Sequence, residues 1–209
     1  HVYSAAITAI HRHHGHESPV NNGVVRGVRQ GVERVHGTAQ RQARGLTDRD
    51  VAKIETIIGK SVRDRRDLAM LLTGRDMLAR RSELAGLDVE DLTFTPDGDA
   101  TAFIKTSKTD KTSEGATAYV GHAATAAIRD YLNAAGIDQR ALFRGIAKGE
   151  HVGGRISTKG VARAFKRLAE RAGLDPDAVS GHSVRVGMAQ DLTAAGAGIQ
   201  DLMQAGRWV

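Results

Sequence analysis

Ser180-Gly181-His182-Ser183-Val184-Arg185-Val186-Gly187 sets a His and an Arg three residues apart at the head of an apolar helical pattern. On a helix, positions i and i+3 share a face, so an imidazole and a guanidinium at this spacing reach one anion together. That arrangement suits phosphate, although solvated helix faces also carry such pairs. Three other stretches accompany it: Leu78-Ala79-Arg80-Arg81-Ser82-Glu83-Leu84 upstream, Ser107-Lys108-Thr109 between, and Met203-Gln204-Ala205-Gly206-Arg207-Trp208 downstream.

The composition suits polyanionic partners. Of 209 residues, 41% are hydrophobic and 26% charged, enough apolar material for one large domain plus a fragment, and the formal net charge is +6. The basic excess is uneven: residues 1–46 hold six Arg and no Lys against Glu17 and Glu33. With no cysteine, disulfides, thiolate metal sites and cysteine nucleophiles are excluded. No apolar run reaches the roughly 18 residues that read as a membrane span, and no signal-peptide pattern opens the chain, so a cytoplasmic setting is the expectation. The chain begins at His1 and stops after Trp208-Val209 without an initiating Met, which reads as a fragment.

Along the chain, residues 1–14 carry apolar groups near helical spacing and end at Gly15. His11, His13, His14 and His16 crowd there; with no cysteine and only Glu17 as a carboxylate beside them, they read as a helix terminus near phosphate rather than a metal site. A second helix is expected from Ser18-Pro19, with Val24, Val25, Val28, Val32 and Val35 as its apolar stripe. Arg26, Arg29 and Arg34 lie mostly off that stripe, suited to phosphates or to solvent. Residues 37–45, which include Arg41 and Arg44, are polar and read as a linker.

The main domain follows. Thr47 with Asp50 has the form of an N-cap box opening a helix that Gly59 closes, and a longer helix from about Ser61 meets Gly74 as a candidate break before Arg80. Residues 89–94, 101–105 and 116–120 read as strands, the first two joined by Pro96-Asp97-Gly98-Asp99. Helices are expected over 122–135, 158–172, 182–195 and 199–205, with 145–154 an exposed loop. The fold expected is mainly α with a small three-stranded antiparallel sheet.

In-line cleavage of a phosphodiester loads negative charge onto the non-bridging oxygens, and without a metal fixed cations must meet it. Guanidinium groups do this well, being planar, permanently charged and bidentate. Arg80 and Arg185 are the candidates. Glu83, three residues beyond Arg80, can orient that guanidinium from the same helix face, whereas Arg81 would point about 100° away. The leaving oxygen needs a proton, for which Lys105, Lys108 and Lys111 are all available.

In their order and separation the four stretches resemble the tyrosine recombinase (phage integrase) family, most closely its Cre-like members. The resemblance implies a tyrosine-recombinase catalytic-domain fold over 47–209, incomplete at its C-terminus. Residues 38–46 would be a linker, and 1–37 the last part of an N-terminal helical DNA-binding domain. It implies a site-specific DNA recombinase that cleaves and rejoins DNA through a 3′-phosphotyrosine. Arg80, Lys108, His182, Arg185 and Trp208 would form the catalytic set, supported by Glu83. Lys108 would be the general acid, and His182 and Trp208 would offer ring N–H groups. Double-stranded DNA, gripped with the help of Arg26, Arg29, Arg34, Arg41 and Arg44, would be the partner, and a homo-tetramer the assembly of the full-length protein. No metal or nucleotide cofactor is implied. The nucleophilic tyrosine would lie beyond Val209, since Tyr3, Tyr119 and Tyr131 match none of the pattern. A catalytically inactive DNA-binding accessory protein on the same fold and a type IB topoisomerase are the alternatives.

Overall fold

The computed structural model describes residues 2–37, 42–105 and 115–208. The chain divides into two compact units, residues 1–42 and 43–209. In the first, α1 (Val2–His13) and α2 (Gly23–His36) flank a single 3-10 turn, Pro19–Asn21. The helix expected to start at Pro19 starts instead at Gly23, because the Asn22 side chain accepts the Val24 N–H at 2.9 Å and caps it there. A hydroxyl contact of 2.9 Å between Thr8 and Ser18 ties the turn back to α1. The valine stripe of α2 is exposed along its length, Val24 at 75% and Val35 at 78%.

The second unit runs α3 (Asp48–Ile57), α4 (Val62–Asp76), α5 (Arg81–Gly86), strands β1 (Leu92–Phe94), β2 (Ala100–Ile104) and β3 (Ala116–Val120), α6 (His122–Ala135), β4 (Arg144–Ile146), β5 (Val152–Arg155), α7 (Thr158–Arg171), α8 (Ser183–Ala194) and α9 (Ile199–Gly206). β1, β2 and β3 form an antiparallel meander, with Phe94 opposite Ala100 and Ala100 opposite Val120. The expected first strand is shorter than 89–94: residues 89–91 form a 3-10 turn, since the Asp91 carboxylate accepts the Asp88 N–H at 2.9 Å.

Residues 145–154, expected to be a loop, contribute to a second, two-stranded ribbon of β4 and β5. Gly145, Gly153 and Gly154 supply no side chains to alternate, so the period-2 signal that marks a strand is missing. Gly149 and Glu150, both at positive φ, make the turn between them.

α4 is the central element, touching α5, α6, α7, α8 and β3. Its C-terminal half is buried on several faces, including polar Thr73 and Arg75. Gly74 does not break it. A β-carbon there would meet Leu84 at 3.0 Å and Val184 at 3.1 Å, so the glycine lets α5 and α8 approach the helix axis. The break comes at Met77 and Leu78, the latter at φ 42°.

The expected linker is only partly one. Leu46 is fully buried, its N–H is donated to the Ser183 carbonyl at 2.9 Å, and the Arg44 N–H goes to Ala178 at 2.8 Å. Arg75 donates to the Leu46 carbonyl, to Asp48 and to Asp191, binding residues 46–48 to α8. This crossing depends on Gly187, where a β-carbon would stand 1.9 Å from the Leu46 carbonyl oxygen. Gly187→Ala is therefore expected to cost about 3 kcal/mol, the upper end for overpacking a close contact. Urea unfolding checks it, and an unchanged midpoint contradicts it.

Candidate nucleic-acid interface and phosphate site

The corner between α4 and α5 and the ends of α8 and α9 bring together three of the four quoted stretches, those of Arg80, Arg185 and Trp208; Ser107-Lys108-Thr109 lies outside the described residues. Arg185 lies in the first turn of α8, 7% exposed, and its guanidinium donates to the Leu78 carbonyl at 2.9 Å and to the Gly206 carbonyl. The left-handed turn at Leu78 frees that carbonyl from the α4 ladder. The guanidinium carbon stands 4.9 Å from the centre of the Trp208 ring, a cation–π contact. The resemblance implied a ring N–H directed at phosphate; the structure gives the Trp208 ring face a second task, covering Arg185. Gly206 is required for this, since a β-carbon there would be 2.8 Å from the ring.

Arg80 is not inside a helix, as the i, i+3 argument assumed. It is the extended residue that caps α5 (φ −77°, ψ 150°), with Glu83 in the first turn. Glu83 nevertheless holds it twice, accepting the Arg80 backbone N–H at 2.9 Å and its guanidinium at 2.8 Å. A carboxylate is favoured at this place because it satisfies orphan N–H groups and faces the positive end of the helix. Burial pushes the Glu83 carboxyl up, but the Arg80 hydrogen bonds and the charges of Arg207 and Arg80 outweigh it and hold the group below its ordinary value.

Arg207, which the sequence offered no role, completes the cluster. Its guanidinium donates to Glu83 at 2.8 Å and to the Met77 carbonyl at 3.0 Å. No linear signal places it beside a residue 124 positions away. Among the described residues, three guanidiniums thus gather around one carboxylate, and the corner is electropositive. Burial, then the nearby charge of Arg80, lowers the Arg185 pKa to about 10. The same two arginines and Arg81 act on His182: partial burial, then the charges of Arg81, Arg185 and Arg80, lower its pKa and favour the neutral imidazole. His182 caps α8, its N–H bound to the Ser180 hydroxyl at 3.1 Å. An apolar cleft of about 660 Å³, lined by Val186, Ala189 and Ala194 among others, opens beside His182, Arg185 and Trp208.

Lys108 and Lys111 lie outside the described residues, as does Arg41. Lys105 is described and is a poor proton donor. Its ammonium sits between Asp91 at 2.8 Å and Asp88 at 2.9 Å, and those hydrogen bonds raise its pKa. Arg26 and Arg34 are exposed on α2, and Arg29 lies near Glu33 at 3.6 Å. Arg44 belongs to the second unit, paired with Asp50 at 2.9 Å. The tyrosine hydroxyls of the second unit are engaged elsewhere: Tyr119 donates to Asp99 at 2.7 Å, and buried Tyr131 accepts from the Arg144 N–H at 3.2 Å. No group of His, Asp or Glu among the described residues is arranged to hold a metal ion, and no described helix is long and apolar enough to cross a membrane.

Residues 44–209 match the model of the phage integrase family. The chain belongs to that family, the tyrosine recombinases. It is 30% identical over 200 residues to an integrase/recombinase xerD homolog of Selenomonas ruminantium, covering 89% of this chain and 58% of that protein. It is 27% identical over 222 residues to the recombinase cre of Escherichia phage P1, covering 97% and 64%. The chain thus spans less than two thirds of either relative. Among solved structures it resembles XerA recombinase (TM-score 0.60, 16% identity, 79% of this chain and 55% of that one). It likewise resembles the integrase from mycobacterium phage Brujita (TM-score 0.59, 18% identity, 98% and 60%). The mainly helical fold with its small antiparallel sheet is the catalytic-domain fold of this family.

Because Glu83 titrates below its ordinary value of 4.5 in the folded state, its ion pairs contribute stability above that pH and lose it as pH falls through the lower folded value. Glu83→Gln should therefore melt below the parent at neutral pH, with the gap narrowing as pH falls below 4.5 and through the lower folded value. A gap constant across that range in thermal scans would contradict this.

Proposed function

We propose that the corner built from Arg80, Arg185 and His182 grips the scissile phosphate of duplex DNA, and that the protein is a site-specific recombinase acting through a 3′-phosphotyrosine. The observation that carries the reading is Arg185 itself, a buried guanidinium with a neighbouring guanidinium from Arg80 and a depressed pKa. Such a group is unfavourable without an anion, and a phosphodiester supplies one at the rim where His182 and Trp208 also reach.

In this reading a tyrosine hydroxyl attacks phosphorus, the bond to the sugar 5′-oxygen breaks, and that oxygen takes a proton from Lys108. Arg80 and Arg185 meet the charge on the non-bridging oxygens, and neutral His182 donates one ring N–H. The 5′-hydroxyl of a partner strand reverses the step, so the bond energy is kept and no cofactor is consumed. The nucleophile is none of Tyr3, Tyr119 or Tyr131. Residues 1–42 serve duplex binding through Arg26, Arg29 and Arg34, and the protein works as a tetramer on DNA.

A binding-only accessory role is the second reading, favoured by the engagement of Tyr119 and Tyr131 away from the cluster. A suicide duplex separates the two. The full-length recombinase should trap a covalent adduct on a tyrosine, and Arg185→Ala should abolish it. Absence of any adduct supports the binder, and normal trapping by Arg185→Ala removes the phosphate role. Duplex affinity should also fall steeply with salt, through release of counterions from the phosphates that the N-terminal arginines cover. A flat salt response would remove those residues from the interface.

A further inference from the structure

Arg207 holds a conformation that costs its backbone energy. It closes α9 at φ 51°, ψ 48°, the left-handed region in which glycine is the favoured residue. Its side chain is largely buried, 15% exposed, and its Nε is buried with no partner among the described residues. Both features are unfavourable, so the contacts of the remaining guanidinium nitrogens must offset them. Those contacts form a pattern with Arg185. Arg185 reaches from α8 to the Leu78 carbonyl and to the Gly206 carbonyl, while Arg207 reaches from the end of α9 to the Met77 carbonyl and to Glu83. Two successive carbonyls of the α4–α5 turn and two successive residues at the end of α9 are thereby linked through two guanidiniums. The Glu83 carboxylate is divided between Arg207 and Arg80: Oε1 accepts the Arg80 guanidinium, and Oε2 accepts both the Arg80 N–H and Arg207.

We propose that Arg207 is a positioning residue for the phosphate site. By occupying Glu83 Oε2 it fixes the carboxylate plane, and so the direction in which Oε1 holds the Arg80 guanidinium. By binding Met77 it keeps the turn at Trp208 in place, and so the ring over Arg185. It touches no substrate. The proposal rests on the phosphate-site reading for its purpose, but not for its test.

Trp208 is the single tryptophan of the chain, so its emission reports this corner directly. Arg207→Gly is the variant of choice in the 209-residue protein, because glycine meets the left-handed backbone without strain and only the side chain is lost. The expected result is a red shift of Trp208 emission in the free protein. Inorganic phosphate or orthovanadate, titrated by the same emission, should bind about tenfold more weakly, a loss of the size of one good charged hydrogen bond. In a Glu83→Gln background Arg207→Gly should add little further loss of anion affinity, since that effect runs through the carboxylate, while the red shift, which runs through Met77, should persist. Arg207→Lys, which keeps the charge but not the forked donor geometry, should fall between parent and Arg207→Gly.

Two results would overturn the proposal. One is Arg207→Gly matching the parent in both emission and anion affinity. The other is simple additivity with Glu83→Gln in anion affinity, which would make Arg207 an independent contributor. If the parent chain binds neither anion, the phosphate-site reading fails. The emission shift of Arg207→Gly, kept in the Glu83→Gln background, then still decides whether Arg207 positions the turn at Trp208.

Discussion

A buried guanidinium bound to two backbone carbonyls is the constraint on which this corner of the molecule depends. Arg185 draws the Leu78 carbonyl from the end of α4 and the Gly206 carbonyl from the end of α9 onto one planar group. Neither carbonyl has a helical partner to lose: one follows a left-handed turn, the other ends its helix. An uncharged side chain could satisfy one of them, and an ammonium would lack the fixed fork that reaches both. The consequence for chemistry is that the cation is placed by the main chain rather than by another carboxylate. Its charge is oriented without being cancelled.

Glu83 solves the complementary problem. Three arginines in a partly desolvated corner oppose one another: burial first, then the charges of Arg80 and Arg207, lower the Arg185 pKa. One carboxylate at the start of α5 offsets part of that repulsion and orients two of the groups. A second carboxylate in the cluster would neutralise it further and, under the proposed function, weaken its attraction for phosphate. Three cations to one anion leave a net positive charge at this corner, as an anion-binding role would require.

These side chains could not converge without close approach of the backbone beneath them. Gly74 lets Val184 and Leu84 pack against α4, and Gly187 lets residues 44–46 cross α8. Arg75 fastens that crossing by joining residues 46–48 to Asp191. The elements that carry the cations therefore stand on a rigid floor, while the apolar cleft beside Trp208 leaves the approach to them open.

Much of this was legible in the sequence. Helical periods, the Thr47 cap, the Pro96–Asp99 turn and the three meander strands are local features, encoded in neighbouring residues. The spacing of His182 and Arg185 and the motif around Arg80 identified the family by pattern. The glycine-rich β4–β5 ribbon left no alternation to read, because three of its seven residues are glycines. Gly74 reads as a helix breaker until one sees that two other helices press against it. Arg207 was illegible as a functional group, since its partners Met77 and Glu83 are distant in the chain and only folding makes them neighbours. The sequence by itself determined the elements and the residue types, because helix, strand and cap preferences act over a few residues. The tertiary structure decided which cations share a carboxylate and which carbonyls aim Arg185, because electrostatic and hydrogen-bond geometry acts through space and has no register along the chain.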